Sequence, residues 1–132
     1  MIIETPPQQN KRSHKSNEGK IQAECYRWCY NEKPETRKLL FHVANENDRA
    51  DSNAIQGAIR KSLGLVAGVA DLILLMPRKG HHGLCIEMKD SHGKQSEQQK
   101  CWQVLVENQG YCYRVIRSLE EFKELINWYL SL

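Results

Sequence analysis

The chain has 132 residues, of which 40% are hydrophobic and 27% are charged, and its formal net charge is +3. This length and balance predict one globular domain with a buried core and exclude a disordered or fibrous chain. Every apolar run is shorter than a membrane-spanning helix, which needs about 20 residues, and no secretory signal is visible. We therefore expect a cytoplasmic protein without a membrane partner. Five cysteines without paired spacing are typical of free thiols in a reducing compartment.

The chain begins with a polar segment. Residues 1–16 are rich in Pro, Gln, Asn, Ser and Lys, which predicts a flexible tail, and residues 17–132 are expected to form the domain. A first helix is indicated after Ser16, which could cap it. On this helix Glu18 and Gln22 are four residues apart and therefore share one face.

A second face of this helix is apolar. It carries Ile21, Cys25, Trp28 and Cys29. The spacing of Cys25 and Cys29 could also serve a metal, but no further ligands follow at a fitting distance, so core packing is favoured. Pro34 ends the helix.

A strand and a second helix are predicted next. The strand covers residues 39–43, and His42 within it is more typical of a structural group than of a catalyst. A polar loop with Arg49 follows, and then Ser52 could cap a helix that ends at Gly64. One face of this helix carries Ile55, Ile59 and Leu63.

Two apolar runs on either side of a turn-rich segment, residues 77–83, predict a hairpin. Asp71 lies near the start of the first run, and Glu87 and Lys89 lie on one side of the end of the second. Antiparallel pairing brings these three residues together. Two carboxylates and an ammonium at a buried hairpin end are costly unless something is bound between them. Carboxylate oxygens suit Mg²⁺ or Mn²⁺.

A polar loop with Lys94 leads from this hairpin to a third helix, where Ser96 and Gln99 form a capping-box pattern. Gln98 lies in the first turn, where backbone N–H groups favour anions. Because the connection from Lys89 is short, Lys94 and Gln98 can reach the same site.

The rest of the chain predicts a strand at residues 111–116 and a last helix capped by Ser118. The element order is helix, strand, helix, strand, strand, helix, strand, helix. It predicts an α/β (α+β) domain with a central mixed β-sheet flanked by helices.

The chemistry that Asp71, Glu87 and Lys89 allow is hydrolysis of a phosphodiester. A metal held by both carboxylates can polarise a phosphoryl oxygen and lower the pKa of a bound water. Lys89 can orient or deprotonate that water, and the backbone carbonyl of Met88 could supply another metal ligand. The competing interpretation is an ordinary salt-bridge cluster at a sheet edge.

The stretch Gly68-Val-Ala-Asp71, followed by Ile86-Glu87-Met88-Lys89, resembles the bipartite motif of the PD-(D/E)XK nuclease superfamily. With Glu18 and Gln22 on the first helix and Ser96-Glu97-Gln98 opening the third, the pattern resembles the VRR-NUC family over residues 18–130. The resemblance implies a restriction-endonuclease-like fold and a DNA endonuclease that depends on Mg²⁺ or Mn²⁺. The chain departs from the motif at Ala70, where proline is usual.

The resemblance also implies roles for individual residues. Asp71 and Glu87 would bind the metal beside the Met88 carbonyl, Lys89 would be the catalytic lysine, and Glu18 would approach the metal through water. Glu24 replaces Glu18 if the phase of the helix differs. Gln98 would bind near the scissile phosphate or orient the site. The expected DNA contacts are Lys94, Gln98, Gln22, Arg49 and Lys61, of which Lys61 could equally be a solvated charge.

Small members of this family resemble phage or bacterial homodimers that cut branched DNA such as Holliday junctions. The resemblance therefore implies a homodimer acting on branched DNA, with a role in DNA repair, near the nucleoid of a bacterial or phage-infected cell. Two other classes stay open. One is a catalytically inactive DNA-binding module of the same fold. The other is a protein-interaction domain, whose usual sign, a large exposed apolar stripe, is not visible in the sequence.

Overall fold

A computed structural model of the chain describes residues 11–44 and 54–132, with side chains from Asn17 onward. The helices are α1 (Lys11–Glu32), α2 (Ala54–Ser62), α3 (Glu97–Asn108) and α4 (Leu119–Leu130), and one 3₁₀ turn covers Pro34–Thr36. The strands are β1 (Leu40–His42), β2 (Leu72–Leu74), β3 (Leu84–Met88) and β4 (Cys112–Ile116). This order confirms the predicted succession of helices and strands.

The strands form one mixed sheet in the order β1-β2-β3-β4. The pairs β1–β2 and β2–β3 are antiparallel, whereas β3 and β4 are parallel. In the predicted hairpin, Leu72 pairs with Ile86. Asp71 therefore lies beside Glu87 at the same end of the sheet, as the sequence predicted.

Helices cover both faces of the sheet. On one face, α1 and α4 pack against the even-numbered residues of β3 in the larger core cluster, which also includes Cys25, Cys29, Phe122 and Tyr129. Both cysteines are fully buried, which confirms core packing for this pair. On the other face, Trp102 and Val106 of α3 pack against Cys85 and Tyr113. Since side chains alternate along a strand, Glu87 points to this second face.

Of the four predicted N-caps, three lie among the described residues, and two of these three are confirmed. Ser96 and Gln99 form a complete capping box at the start of α3, and the Ser118 side chain accepts a hydrogen bond from Glu121 N at the start of α4. The first helix differs, since Ser16 lies inside α1 and does not cap it. No proline or glycine separates Lys11 from Glu18, so nothing in this stretch stops the helix from extending.

Helix α2 has the predicted apolar face, but this face is largely exposed. None of the α2 residues is buried, and the exposed fractions of Ile55, Ile59 and Leu63 are 73%, 53% and 82%. An exposed apolar stripe that was not expected from the sequence is therefore present. Arg49 and Ser52 lie outside the described residues. None of the described helices is both long and apolar enough to cross a membrane.

Candidate active site

Asp71 stands at the entrance to β2 and reaches across the hairpin. Its Oδ2 accepts a hydrogen bond of 2.7 Å from the backbone N–H of Met88 at the end of β3. This bond ties the carboxylate to the neighbouring strand. It also places the Met88 backbone, whose carbonyl is predicted to be a metal ligand, beside Asp71 and Glu87, which together are called the acidic cluster below.

Glu87 lies next to Asp71 and is almost completely buried, with 1% of its surface exposed. Its Oε1 accepts a hydrogen bond of 2.9 Å from Gln99 Nε2 and lies 3.4 Å from Lys89 Nζ. Its Oε2 is buried and has no hydrogen-bond partner among the described residues. A buried carboxylate oxygen without a donor is costly, so this atom favours either a proton shared with Asp71 or a bound cation.

The two carboxylates disfavour each other's charge. Burial and then the negative charge of Asp71 raise the pKa of Glu87 to about 8. Burial also raises the pKa of Asp71, although the Met88 N–H and the charge of Lys89 oppose this. Ionised carboxylates only accept hydrogen bonds, so the pair gains either from a proton or from a bound cation between them.

Lys89 is buried to all but 8% of its surface and lies between Glu87 and Glu18. Burial raises the pKa of Glu18, and the charge of Lys89 and a hydrogen bond from the Asp90 backbone oppose the rise. Glu18 on α1 is thus brought to the acidic cluster. Glu24 is exposed on the same helix.

A tight turn follows Lys89, and hydrogen bonds hold the backbone of this turn next to the lysine. Asp90 Oδ1 accepts hydrogen bonds from the N–H groups of His92 and Gly93, at 2.9 and 2.6 Å. The Arg117 guanidinium donates to the carbonyls of Asp90 and Gly93, both at 2.7 Å. A Cβ at Gly93 would lie 3.0 Å from Glu18 Oε1 and 3.2 Å from Lys89 Cδ, so a glycine allows this close approach.

The sequence reasoning missed Asp90, Gly93 and Arg117. The pattern Asp-Ser-His-Gly is typical of a turn in which the aspartate side chain bonds the following backbone, and it could have indicated the role of Asp90. No local sequence pattern indicates the role of Arg117, because this residue is 27 positions away from Asp90.

Gln99, rather than Gln98, contacts the acidic cluster. Gln98 is exposed in the first turn of α3, while the side-chain amide of Gln99 reaches Glu87. Lys94 is exposed on the preceding loop. Lys61 is exposed on α2, and Arg49 lies outside the described residues.

His42 joins α1 to the acidic cluster. Its Nδ1 lies 2.9 Å from Gln22 Nε2 and 2.9 Å from the backbone oxygen of Asp71. The nearby imidazole also lowers the pKa of the Asp71 carboxyl, against the larger effect of burial. His42 therefore supports the backbone of Asp71, in line with the structural role that the sequence analysis favoured. It lies next to the candidate active site.

The donors present fit a hard cation. Among the described residues no group of three or more His, Cys, Asp or Glu side chains is placed to hold a metal. Mg²⁺ commonly binds one or two carboxylates and keeps several waters. The carboxylates of Asp71 and Glu87, including the unpartnered Oε2 of Glu87, suit this ion. A soft or tetrahedral ion would need nitrogen or sulfur ligands that the cluster does not offer.

Comparison with known proteins places this geometry in context. The model of the VRR-NUC domain family matches residues 4–120. Among solved structures, a "VRR_NUC domain protein" superposes with a TM-score of 0.73 at 24% sequence identity, covering 86% of this chain and 88% of that chain. The superposition shows a shared fold. No curated protein matched the chain.

Proposed function

The chain belongs to the VRR-NUC family, and from this premise we propose that it is a metal-dependent DNA endonuclease that hydrolyses phosphodiester bonds. Family membership, which confirms the resemblance found in the sequence, supports a nuclease-type function with DNA as the substrate. The observation that carries the metal dependence is the buried, unpartnered Oε2 of Glu87 beside Asp71.

Asp71 and Glu87 would hold Mg²⁺ or Mn²⁺, with the Met88 carbonyl as a further ligand and Glu18 contacting the ion through water. Such a cation, when bound, polarises a phosphoryl oxygen and lowers the pKa of bound water. The chain supplies the fixed geometry around it. The Met88 N–H orients Asp71, and the Gln99 amide orients Glu87.

Lys89 would act directly on the reacting groups. Its ammonium is held 3.4 Å from Glu87 Oε1, in a site from which most water is excluded. There it can orient the attacking water and stabilise the negative charge that develops on the phosphate. Lys94, Gln98, Gln22, Arg49 and Lys61 are proposed to contact the DNA around this centre.

We further propose a homodimer acting on branched DNA such as a four-way junction. A two-fold axis would give two active sites for paired cuts. The exposed stripe of Ile55, Ile59 and Leu63 on α2 supports the dimer, because it offers an apolar surface to a second copy.

The test is cleavage of labelled four-way junction, flap and linear duplex DNA with Mg²⁺, Mn²⁺ or EDTA. The Lys89→Ala variant is compared with Lys100→Ala, which removes an exposed lysine paired with Glu97. We expect metal-dependent cutting, lost in Lys89→Ala and kept in Lys100→Ala. Preference for the junction over the duplex would support branched DNA as the substrate.

Two results would contradict the proposal. DNA binding without cleavage of any substrate would indicate an inactive DNA-binding module of the same fold. An unfolded Asp71→Asn or Lys89→Ala variant, seen by circular dichroism, would favour the salt-bridge interpretation of the cluster.

A further inference from the structure

A pocket of about 490 Å³ lies between α1 and the edge strand β1. It is lined by Gly19, Gln22, Ala23, Tyr26, Phe41, His42 and Leu72. The four α1 residues recur at i, i+3, i+4 and i+7, so they form one continuous stripe of the helix. The volume falls within the range of about 300–1,000 Å³ that is usual for small-ligand sites.

The lining suits a neutral, planar group. Tyr26 and Phe41 are partly exposed aromatic residues, and the described lining residues include no Asp, Glu, Lys or Arg. Gln22 adds a side-chain amide whose Nε2 lies 2.9 Å from His42 Nδ1 and whose oxygen can accept a hydrogen bond. A phosphate would find no lysine or arginine among these residues, whereas a nucleobase would find apolar surface and hydrogen-bonding groups.

The pocket lies near the acidic cluster, although none of the carboxylates of the cluster lines it. His42, which lines the pocket, has its Nδ1 2.9 Å from the backbone oxygen of Asp71. Gly19 and Leu72 directly follow Glu18 and Asp71 in the chain. A nucleotide whose phosphate lies at the acidic cluster therefore has its base within reach of the pocket.

We propose that this pocket binds one nucleobase next to the scissile phosphate, unstacked from its neighbours. The inference rests on the proposed nuclease function and names its substrate class. A paired base must be unstacked and unpaired to enter, which costs a few kcal/mol in duplex DNA and least where the base is already unpaired. The pocket thus selects DNA with an unpaired or loosely paired nucleotide at the cut.

Gly19 provides a direct way to fill the pocket. A Cβ at this helical position would meet no atom within 4 Å, so a leucine can be introduced at a residue that lines the pocket. Gly57 on α2 is equally open and does not line the pocket. Gly19→Leu and Gly57→Leu are therefore a matched pair.

A binding assay detects the unstacked base without any cleavage. Four-way junctions carry one 2-aminopurine each, at successive nucleotides around the branch point, and are bound by the Lys89→Ala protein in EDTA. We expect fluorescence to rise at one position on each cut strand. The rise is lost when Gly19→Leu is added to Lys89→Ala and kept when Gly57→Leu is added.

A cleavage assay measures what the pocket contributes. An abasic residue at the fluorescent position is expected to lower kcat/KM of the wild type by about five- to a hundredfold, the range that loss of base stacking gives. Gly19→Leu should show a similar loss on ordinary DNA and little further loss on abasic DNA. Gly57→Leu should behave as the wild type in both cases.

The outcomes separate this inference from the nuclease itself. Cleavage by the wild type with no fluorescence rise at any position, or with Gly19→Leu as active as Gly57→Leu, overturns the pocket and leaves the nuclease intact. A rise that Gly19→Leu abolishes, in a protein that cuts nothing, supports the pocket and overturns the nuclease. No rise and no cleavage overturn both.

Discussion

Gln99 links the start of α3 to Glu87 through a single side-chain amide. Its Oε1 accepts a hydrogen bond of 2.8 Å from Ser96 N, and its Nε2 donates one of 2.9 Å to Glu87 Oε1. The Ser96 hydroxyl accepts from Gln99 N in return. The cap that starts the helix therefore also fixes the orientation of a carboxylate in the candidate active site.

The variant Gln99→Glu separates these two tasks. Glutamate at this position keeps the capping box, but it replaces the donor to Glu87 with a third negative charge. We expect folding to be retained and kcat to fall by about ten- to a hundredfold, the effect of losing one hydrogen bond to a charged group. Cleavage rates measure the fall in kcat, and thermal unfolding shows whether folding is retained. Gln98→Ala is the control, and a larger loss in it than in Gln99→Glu would return the role to Gln98.

The sequence identifies the capping box but not the second contact of Gln99. Local spacing shows that Ser96 and Gln99 meet, because both atoms belong to one helical turn. Whether residue 98 or 99 faces Glu87 depends on how α3 is rotated against the sheet, and one residue changes that direction by about 100°. Packing on Cys85 and Tyr113 sets this rotation, and no local pattern encodes it.

In the rest of the molecule, too, contacts between neighbouring segments could be predicted from the sequence, whereas contacts between distant segments could not. Asp71 and Glu87 could be paired from the sequence because a hairpin fixes its own register. Other contacts join segments that are distant in the chain and could not be predicted in this way. Arg117 contacts the turn after Lys89, and His42 contacts both Gln22 and the backbone of Asp71. For α2, the pattern of Ile55 and Ile59 predicts an apolar face, yet it cannot tell whether the partner of that face lies in the same chain.

Gly68, in the motif that leads to Asp71, is expected to tolerate no side chain. Its φ is +85°, and a Cβ there would overlap the carbonyl of Gln98 and lie 2.9 Å from Gln99 N. Gly68→Ala should lower the free energy of unfolding by roughly 2–4 kcal/mol, through the left-handed backbone and the forced shift of α3. Urea denaturation measures this. Gly57→Ala, with open space around it, should be neutral or slightly stabilising, and equal effects of the two changes would contradict the close contact.

The stability of the metal-free protein should fall as the pH rises through the neutral range. The pKa of Glu87 is about 8 in the folded protein, above its ordinary value of 4.5. Below the ordinary value this carboxyl is protonated in both states, so its contribution to stability is fully present. As the pH rises towards 8, the unfolded chain releases the proton first, and the contribution is progressively lost.

Glu87→Gln removes this titration. In EDTA at about pH 8 the variant should exceed the wild type in unfolding free energy by about 1–3 kcal/mol, the cost of a buried group without its partner. Near pH 5 the two proteins should converge. Added Mg²⁺ should stabilise the wild type and leave the variant unchanged, since the variant lacks a ligand. Guanidinium denaturation across this pH range measures both effects, and parallel pH profiles would show that Glu87 is not the group responsible.

The exposed face of α2 is expected to hold two copies of the chain together. Ile59 lies in the middle of the stripe with Ile55 and Leu63, and 53% of its surface is exposed in the single chain. In a dimer, Ile59→Asp would bury a charge without a partner, which is strongly unfavourable. We expect the dimer dissociation constant to rise at least about tenfold, equivalent to about 1.4 kcal/mol.

Sedimentation equilibrium over a concentration series measures this constant. The control is Lys61→Asp, which introduces the same side chain on the opposite side of α2, since two residues turn the helix by about 200°. Dissociation by Ile59→Asp alone would place the interface on the stripe. If both variants remain dimeric, the second copy binds elsewhere, and if the wild type sediments as a monomer at every concentration, paired cleavage by a stable dimer is ruled out. Circular dichroism of Ile59→Asp should match the wild type, because α2 contributes no buried residue to the core of its own chain.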